Sequence, residues 1–295
     1  MVTGNLLEDK NLSLGERVSR RLGMAAQYAA SIPHSLIRRR LFDDVKTFCL
    51  FIGHARSGHS IVGALLDAHR NVVMADELNA LQYVLSGFSK RQIFSLAVTR
   101  SRLLAQRGRV KNGRDGQLLV YRVPGQWQGH FDKIQVIGDS KAGLTTQRLA
   151  RNPEMIDRVR RMMGTTVLKF IHVIRNPFDN ISTLMIRGER TFDNAIDRYF
   201  LNCETIGTLR KRLSAEYMTT IRHEDLIARP EESVAALCDF VGVSPVPDYL
   251  SACAGILYKT PAASRRKVPW TPELIERVQN NIDQFDFLSG YSYDS

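Results

Sequence analysis

Apolar residues along this chain fall into short unbroken runs, separated by stretches in which they recur at helical spacing. Thr47-Phe48-Cys49-Leu50-Phe51-Ile52 shows no alternation of polar and apolar positions. Such a run predicts a strand covered on both faces, as in a parallel sheet. Gly53 to Gly58 follows as a loop, and Ile61, Val62, Leu65 and Leu66 then keep a helical period. A short run covers Asn71 to Met74. A second long run, Val167 to Ile174, stops at Arg175-Asn176-Pro177, and a helical pattern resumes near Asp179. Tyr217 to Ile221 is a third strand candidate, and from Glu231 onward the spacing is mostly helical. Residues 107–122 are rich in Gly and Arg and predict a loop leading into a strand near Leu118 to Val123. Buried strands alternating with helices predict an α/β fold with a central parallel sheet. No repeat, low-complexity tract or linker interrupts it, so the expectation is one domain over residues 46–295, preceded by an N-terminal helical extension over 1–45.

Within that extension, residues 13–42 set Arg17, Arg20, Arg21 and Arg38 to Arg40 beside Leu22, Met24, Ile32, Leu36 and Ile37. Two readings stand: a helix packed on the domain with its charges solvated, or an arm for a membrane surface or a partner. Composition narrows the class. With 44% hydrophobic and 24% charged residues in 295, the chain is ordinary globular protein and neither disordered nor fibrous. Lys plus Arg number 41 against 30 Asp plus Glu, a formal charge of +11. That excess favours an anionic partner: nucleic acid, an anionic membrane surface, or a small molecule bearing phosphate or sulfate. No stretch approaches the roughly 20 apolar residues of a membrane span. Met1 to Lys10 is polar, with Glu8 and Asp9, and lacks the basic-then-apolar order of a signal peptide. Cys49, Cys203, Cys238 and Cys253 form no C-x-x-C pair and sit in apolar contexts, so they are expected to be reduced core thiols in a cytoplasmic protein.

Candidate chemistry concentrates where strands give way to helices. Gly53-His54-Ala55-Arg56-Ser57-Gly58-His59-Ser60 joins a buried strand to a helix. Glycines let backbone N–H groups turn inward, and the helix N-terminus adds partial positive charge, so such a loop can wrap a phosphate. The spacing matches G-x-x-x-x-G-K-[ST] except that His59 takes the place of the lysine that reaches the β- and γ-phosphates of a nucleoside triphosphate. That replacement weakens an ATPase or GTPase reading, and a ligand-free turn is the plainer alternative. His172 to Thr183 repeats the architecture. Arg175 falls at the carboxyl end of a strand, where open α/β sheets bind ligands, and Thr183 lies eight residues on in the following helix. An arginine and a hydroxyl make a small phosphate clamp. Two anion sites on one sheet edge predict a ligand with two separated phosphate groups.

These residues resemble the sulfotransferases that use 3′-phosphoadenosine 5′-phosphosulfate (PAPS), whose fold is a three-layer, P-loop-like α/β arrangement with a central parallel sheet flanked by helices. The resemblance identifies Arg56, Ser57, Gly58, His59 and Ser60 with the family's 5′-phosphosulfate loop, His59 standing where the family has Thr. Arg175 and Thr183 are similar to its 3′-phosphate site, an Arg with a Ser eight residues on; Ser182 comes one residue early, and either hydroxyl is a candidate. Leu65 to Val72, followed by Ala75-Asp76-Glu77, resembles the protein-tyrosine and bacterial branches, in which a Glu at this distance is the general base. Gly138-Asp139-Ser140-Lys141 resembles the segment whose Lys contacts the transferring sulfuryl group, and Ser264 to Pro272, with Arg265, Arg266 and Lys267, resembles a basic loop that covers the nucleotide. Together these segments span residues 46–280.

The resemblance implies transfer of a sulfuryl group from PAPS to a hydroxyl or amine acceptor by in-line displacement, leaving adenosine 3′,5′-bisphosphate. It assigns Arg56, His59 and Lys141 to the sulfuryl and bridging oxygens and Glu77 to the acceptor's proton, with Asp76 as its rival. His59 and His54 are alternative bases, since imidazole suits neutral pH. His172 and His69 are expected to be structural. Trp127 and His130 either line an acceptor pocket or anchor a hairpin. No metal is required, because a sulfuryl group carries less charge than a γ-phosphate, and no metal-ligand cluster stands out in the sequence. The expected partner is a small-molecule or peptide acceptor and not nucleic acid. The competing readings are a P-loop kinase or NTPase and a non-catalytic binder of anions or nucleic acid.

Overall fold

A computed structural model describes residues 13–112, 118–188 and 190–295. The polar stretch Met1 to Lys10 and the middle of the Gly- and Arg-rich segment, residues 113–117, lie outside the described residues. Among the described residues seven strands occur in chain order: β1 (Thr47–Gly53), β2 (Val72–Ala75), β3 (Val110–Asn112), β4 (Leu118–Val120), β5 (Val136–Asp139), β6 (Val167–Ile174) and β7 (Met218–Arg222). Five of them form one parallel sheet in the order β2-β5-β1-β6-β7. The helices are α1 (Leu14–Ile37), α2 (His59–Asp67), α3 (Ala80–Leu85), α4 (Lys90–Gln106), α5 (Ala142–Arg151), α6 (Met155–Met163), α7 (Pro177–Ile186) and α8 (Phe192–Arg212). After β7 come α9 (His223–Ala228), α10 (Pro230–Val241), α11 (Pro247–Ala254) and α12 (Pro272–Ile282).

The unbroken apolar runs follow from burial on both faces. Side chains alternate across a strand. Phe48, Leu50 and Ile52 of β1 enter one core with Ile93, Phe94 and Val98 of α4 and Phe178 and Ile181 of α7. Cys49 and Phe51 enter the other, with Leu65 and Leu66 of α2 and Leu237 and Cys238 of α10. β6 divides the same way, Leu168 and Phe170 to the first core and Ile171 and Val173 to the second. The result is helix, sheet, helix: three layers around a parallel sheet.

The expected strand near Leu118 to Val123 is a correction. It ends at Val120 and pairs antiparallel with β3 as a small hairpin outside the main sheet. Strand β5 was not legible, because its four residues, Val136-Ile137-Gly138-Asp139, are half non-aliphatic. The basic N-terminal stretch is the helix α1, followed by a 3-10 turn over Arg39–Phe42 that seats Phe42 in the first core. α1 packs on α4. All four cysteines are free and buried, and burial pushes each thiol up from its ordinary value. No helix among the described residues is long and apolar enough to cross a membrane.

Phe170 sits fully buried in the middle of β6, between β1 and β7. Phe170→Ala is expected to cost about 3–5 kcal/mol of unfolding free energy, through lost apolar contact and the cavity left behind. The denaturant midpoint checks this, and a change under about 1 kcal/mol would contradict the packing described.

Candidate active site

Because the five strands are parallel, their carboxyl ends lie along one edge. In sheet order that edge carries the turn to Glu77 after β2, Lys141 after β5, the loop 54–60 after β1, Arg175 after β6 and His223 after β7. A cavity of about 840 Å³ opens there, within the usual range for a ligand site. Arg56, Gly58, His59, Ser60, Glu77, Lys141, Arg175 and Thr183 all line it.

The loop after β1 turns twice into left-handed backbone, at Arg56 (φ 67°) and Gly58 (φ 96°). Gly58 caps α2, and a Cβ there would collide with the His223 ring, so backbone and ring are in close approach. The carbonyls of Gly53 and Ala55 accept from Asn202 (3.3 Å) and Asn180 (3.1 Å). These two bonds anchor the start of a loop that leads into a helix N-terminus, where N–H groups can meet an anion. Asn180 Oδ1 is buried without a partner on the cavity wall, a polar atom that a ligand could satisfy. Ser57 departs from expectation. It is fully buried, its Oγ 3.5 Å from His59 Nδ1, and it lies behind the loop rather than on the cavity wall.

At the β2–β5 end, Glu77 is gripped on both oxygens. His59 Nε2 lies 3.0 Å from Oε1, and Lys141 Nζ pairs with Oε2. Burial raises this carboxyl's pKa, but the contacts with His59 and Lys141 outweigh it and hold it down at about 2. Its rival Asp76 is buried off the cavity wall and accepts from Ser140 Oγ at 3.2 Å. Glu77 and Asn79 both have left-handed backbone (φ 59° and 68°), a costly conformation for such residues. Asp139 secures them: its two oxygens accept the N–H groups of Leu78 (2.9 Å), Ala80 (2.7 Å) and Lys141 (3.2 Å). One carboxylate on β5 thus holds the backbone just after Glu77 and at Lys141 itself. Sequence reading passed over Asp139 in favour of its neighbour Lys141, although its place as the last residue of a strand at the ligand edge was the available signal.

At the β6 end, Arg175 reaches Thr183 Oγ1 (3.4 Å), Ser264 Oγ (3.2 Å) and the Ala262 carbonyl. The two candidate hydroxyls, at 182 and 183, lie in different surroundings. Thr183 faces the cavity beside Arg175, whereas Ser182 is turned into the core and accepts from Trp270 Nε1 at 2.9 Å. Helical period explains it: position 182 lies about 100° round from 183.

The basic loop is also corrected. Arg265 is buried and paired with Asp179 of α7 at 2.7 Å, while Arg266 and Lys267 are exposed, and none of the three lines the cavity. Thr260, Pro261 and Ala262, just before them, do. Trp127 and His130 likewise stand away from this cavity; His130 borders a separate hollow with Arg102 and Arg109, and Val120 and Tyr121 line the cavity instead. His54 stacks on Tyr199 at 3.8 Å, and burial, then the nearby His59, push its pKa down to about 3, too weak for a base at neutral pH. His172 and His69 are structural, packed against Phe287 and bonded to the Ser244 carbonyl. Arg187, Arg190 and Arg198 also line the cavity and carry no pattern that marked them in the sequence.

Residues 50–248 match the family model described as "Sulfotransferase family". A search of curated proteins finds no match. Among solved structures, sulfotransferase STF9 from Mycobacterium avium aligns with a TM-score of 0.50 at 12% identity, over 90% of this chain and 82% of that one, a likeness of fold. The sulfotransferase domain of the Synechococcus PCC 7002 olefin synthase aligns at 0.49 and 14% identity, over 82% and 94%. Mouse sulfotransferase SULT7A1 complexed with PAP aligns at 0.47 and 10% identity, over 86% and 89%.

Burial lifts the Asp139 carboxyl, against its three N–H donors, to about 6 from 3.8. A carboxyl raised on folding contributes stability that is complete below its unfolded value and lost as pH rises through its folded one. Between pH 4 and 6, Asp139 is therefore expected to make unfolding easier as pH rises. Asp139→Asn should flatten that slope, read as the denaturation midpoint across the same window; an unchanged slope would contradict it.

Proposed function

The chain belongs to the sulfotransferase family, and from that premise we propose that it moves a sulfuryl group from PAPS to a hydroxyl on a small-molecule or peptide acceptor. The observation that carries this reading is that Arg56 and Arg175 follow neighbouring parallel strands and line one cavity. The wall fits a nucleotide with phosphate at both ends. Arg56, Lys141, Arg175, Arg187, Arg190 and Arg198 face a single carboxylate, Glu77, among the described lining residues. When bound, PAPS supplies an activated sulfuryl group for an in-line displacement whose charge spreads over the equatorial oxygens, as in phosphoryl transfer.

In this reading the loop N–H groups and Arg56 take the 5′ end, and Arg175 with Thr183 takes the 3′-phosphate. Lys141 has a double duty. While His59 and Lys141 both hold Glu77, that carboxylate is too weak a base to accept a proton from a hydroxyl. Lys141 would turn from Glu77 to the sulfuryl oxygens of a bound donor, which would return to Glu77 the part of its basicity that Lys141 suppresses. His59 keeps Glu77 oriented through its 3.0 Å contact, a positioning part in place of the oxygen contact expected from the sequence. A preorganised donor such as Lys141 is typically worth about 3–4 kcal/mol in the transition state.

Arg175→Ala is expected to weaken adenosine 3′,5′-bisphosphate about 10- to 100-fold, the loss of a charged hydrogen-bond donor, and to leave ATP nearly unaffected. Calorimetric titration of both nucleotides decides it, and an equal loss for the two overturns the assignment. Glu77→Gln should lower turnover about 10²–10⁴-fold with nucleotide affinity nearly unchanged, measured as labelled sulfate moved from PAPS across an acceptor panel. Intact turnover would put the base elsewhere.

A further inference from the structure

Helix α1 is mounted with its polar face inward. Tyr83 Oη donates to Gln27 (3.1 Å), Gln92 Nε2 donates to Ser31 Oγ (3.0 Å), and Arg38 Nη1 reaches Ser95 Oγ and Thr99 Oγ1 (3.2 and 2.9 Å). Ser31 and Ser35 are buried, and Tyr28 packs edge-on against Phe88. These contacts fix the rotation of the helix. The opposite face carries Val18, Leu22, Ala25, Ala29, Ile32, Pro33 and Leu36, all exposed, with Ile37 at the end. Leu22 is 66% exposed, Leu36 60% and Ile37 81%. From Val18 to Leu36 that stripe runs roughly 27 Å along the axis. A globular helix ordinarily does the reverse, burying its apolar stripe and showing its charges.

The rim of the stripe is basic. Arg21 flanks it and Arg39 and Arg40 follow its end, all exposed. Within the helix Glu16 is the one acid, and it is engaged in the capping box with Ser13. Beyond the helix, Asp44 is paired with Lys133 at 3.0 Å, and Asp43 is exposed. We propose that α1 lies on the surface of an anionic phospholipid bilayer, its apolar stripe sunk at the boundary of headgroups and acyl chains and its arginines on the lipid phosphates. Apolar burial and basic attraction are the two contributions that hold a helix in this plane. The charge pattern favours lipid over a second copy. Two stripes pressed together antiparallel bring Arg21 of one copy toward Arg39 and Arg40 of the other, and parallel pairing sets each arginine against its like. The net charge of +11 supports approach to the same surface.

Sedimentation of the full chain with phosphatidylcholine vesicles, with and without phosphatidylglycerol, tests this. Binding is expected to the anionic vesicles, to fall as salt rises, and to be much weaker on neutral ones. Leu22→Glu with Leu36→Glu should lower it by about tenfold or more, while the thermal midpoint stays close to that of the parent. Arg21→Ser, Arg39→Ser and Arg40→Ser together should weaken it by roughly fivefold for each arginine removed. No binding to anionic vesicles, equal binding to neutral ones, or no effect of either variant overturns the proposal. So does a dimer seen by light scattering that Leu22→Glu with Leu36→Glu converts to monomer.

Discussion

The parallel register of β5, β1 and β6 is the constraint on which the site depends. Residue pairs such as Cys49–Gly138 and Cys49–Lys169 set three strands side by side in one direction, so their exits come out together. With β1 in the middle and buried on both faces, nothing but the loop at its end can reach ligand. That loop is accordingly where the backbone turns left-handed, at Arg56 and Gly58. The outer strands supply what the loop lacks: a carboxylate and an amine from the β2–β5 side, a guanidinium from β6. Functional groups that are 64 and 119 residues apart in sequence from their partners, Glu77 with Lys141 and Arg56 with Arg175, need no long-range folding device beyond the sheet itself.

The β2–β5 corner stores its cost in backbone and recovers it in charge. Left-handed residues at 77 and 79 are each worth on the order of 1–3 kcal/mol of strain. Asp139 answers with three N–H bonds spread over both sides of the corner, and the buried Arg148 adds contacts to Asn79 and Gln82. The arrangement keeps Glu77 ionised and Lys141 within reach of it. Two cations on one carboxylate hold its pKa well below the ordinary range, so its basicity depends on how many of them stay in contact.

Legibility of the sequence followed burial. β1 and β6 could be read because both faces are covered and the apolar run is continuous; β5 could not, because Gly138 occupies a position where a Cβ would meet the Cys49 carbonyl and Met74. Arg175 and Thr183 were legible as a cation just past the end of a strand and a hydroxyl eight residues on, inside the next helix. Ser182 was not separable from Thr183 by spacing, and only its contact with Trp270 shows that it faces away. Arg265, Arg266 and Lys267 show the limit of reading charge as contact: a run of three cations says nothing about which one has an internal acid, and Asp179, 86 residues earlier in the chain, was the missing partner. Arg187, Arg190 and Arg198 were invisible for a related reason, since they lie just past α7, before α8 and on α8, positions where isolated arginines are usually solvated, and only the tertiary fold brings them to one cavity.

The Arg265–Asp179 pair gives the C-terminal segment a part different from that of a basic lid. Both side chains are almost fully buried, and the Arg265 N–H also donates to Asp179 at 2.8 Å. A buried charge pair adds little net stability when whole and costs several kcal/mol when one partner is lost, so it specifies a position more than it strengthens one. Here the position specified is that of Ser264, whose Oγ lies 3.2 Å from Arg175 and 3.1 Å from Thr183. The clamp therefore acts one residue upstream of its own charge, holding a hydroxyl and the Ala262 carbonyl against the guanidinium at the β6 end. Arg175 is thereby held by three protein acceptors, and its place at the β6 end is set by a buried charge pair that lies off the cavity wall.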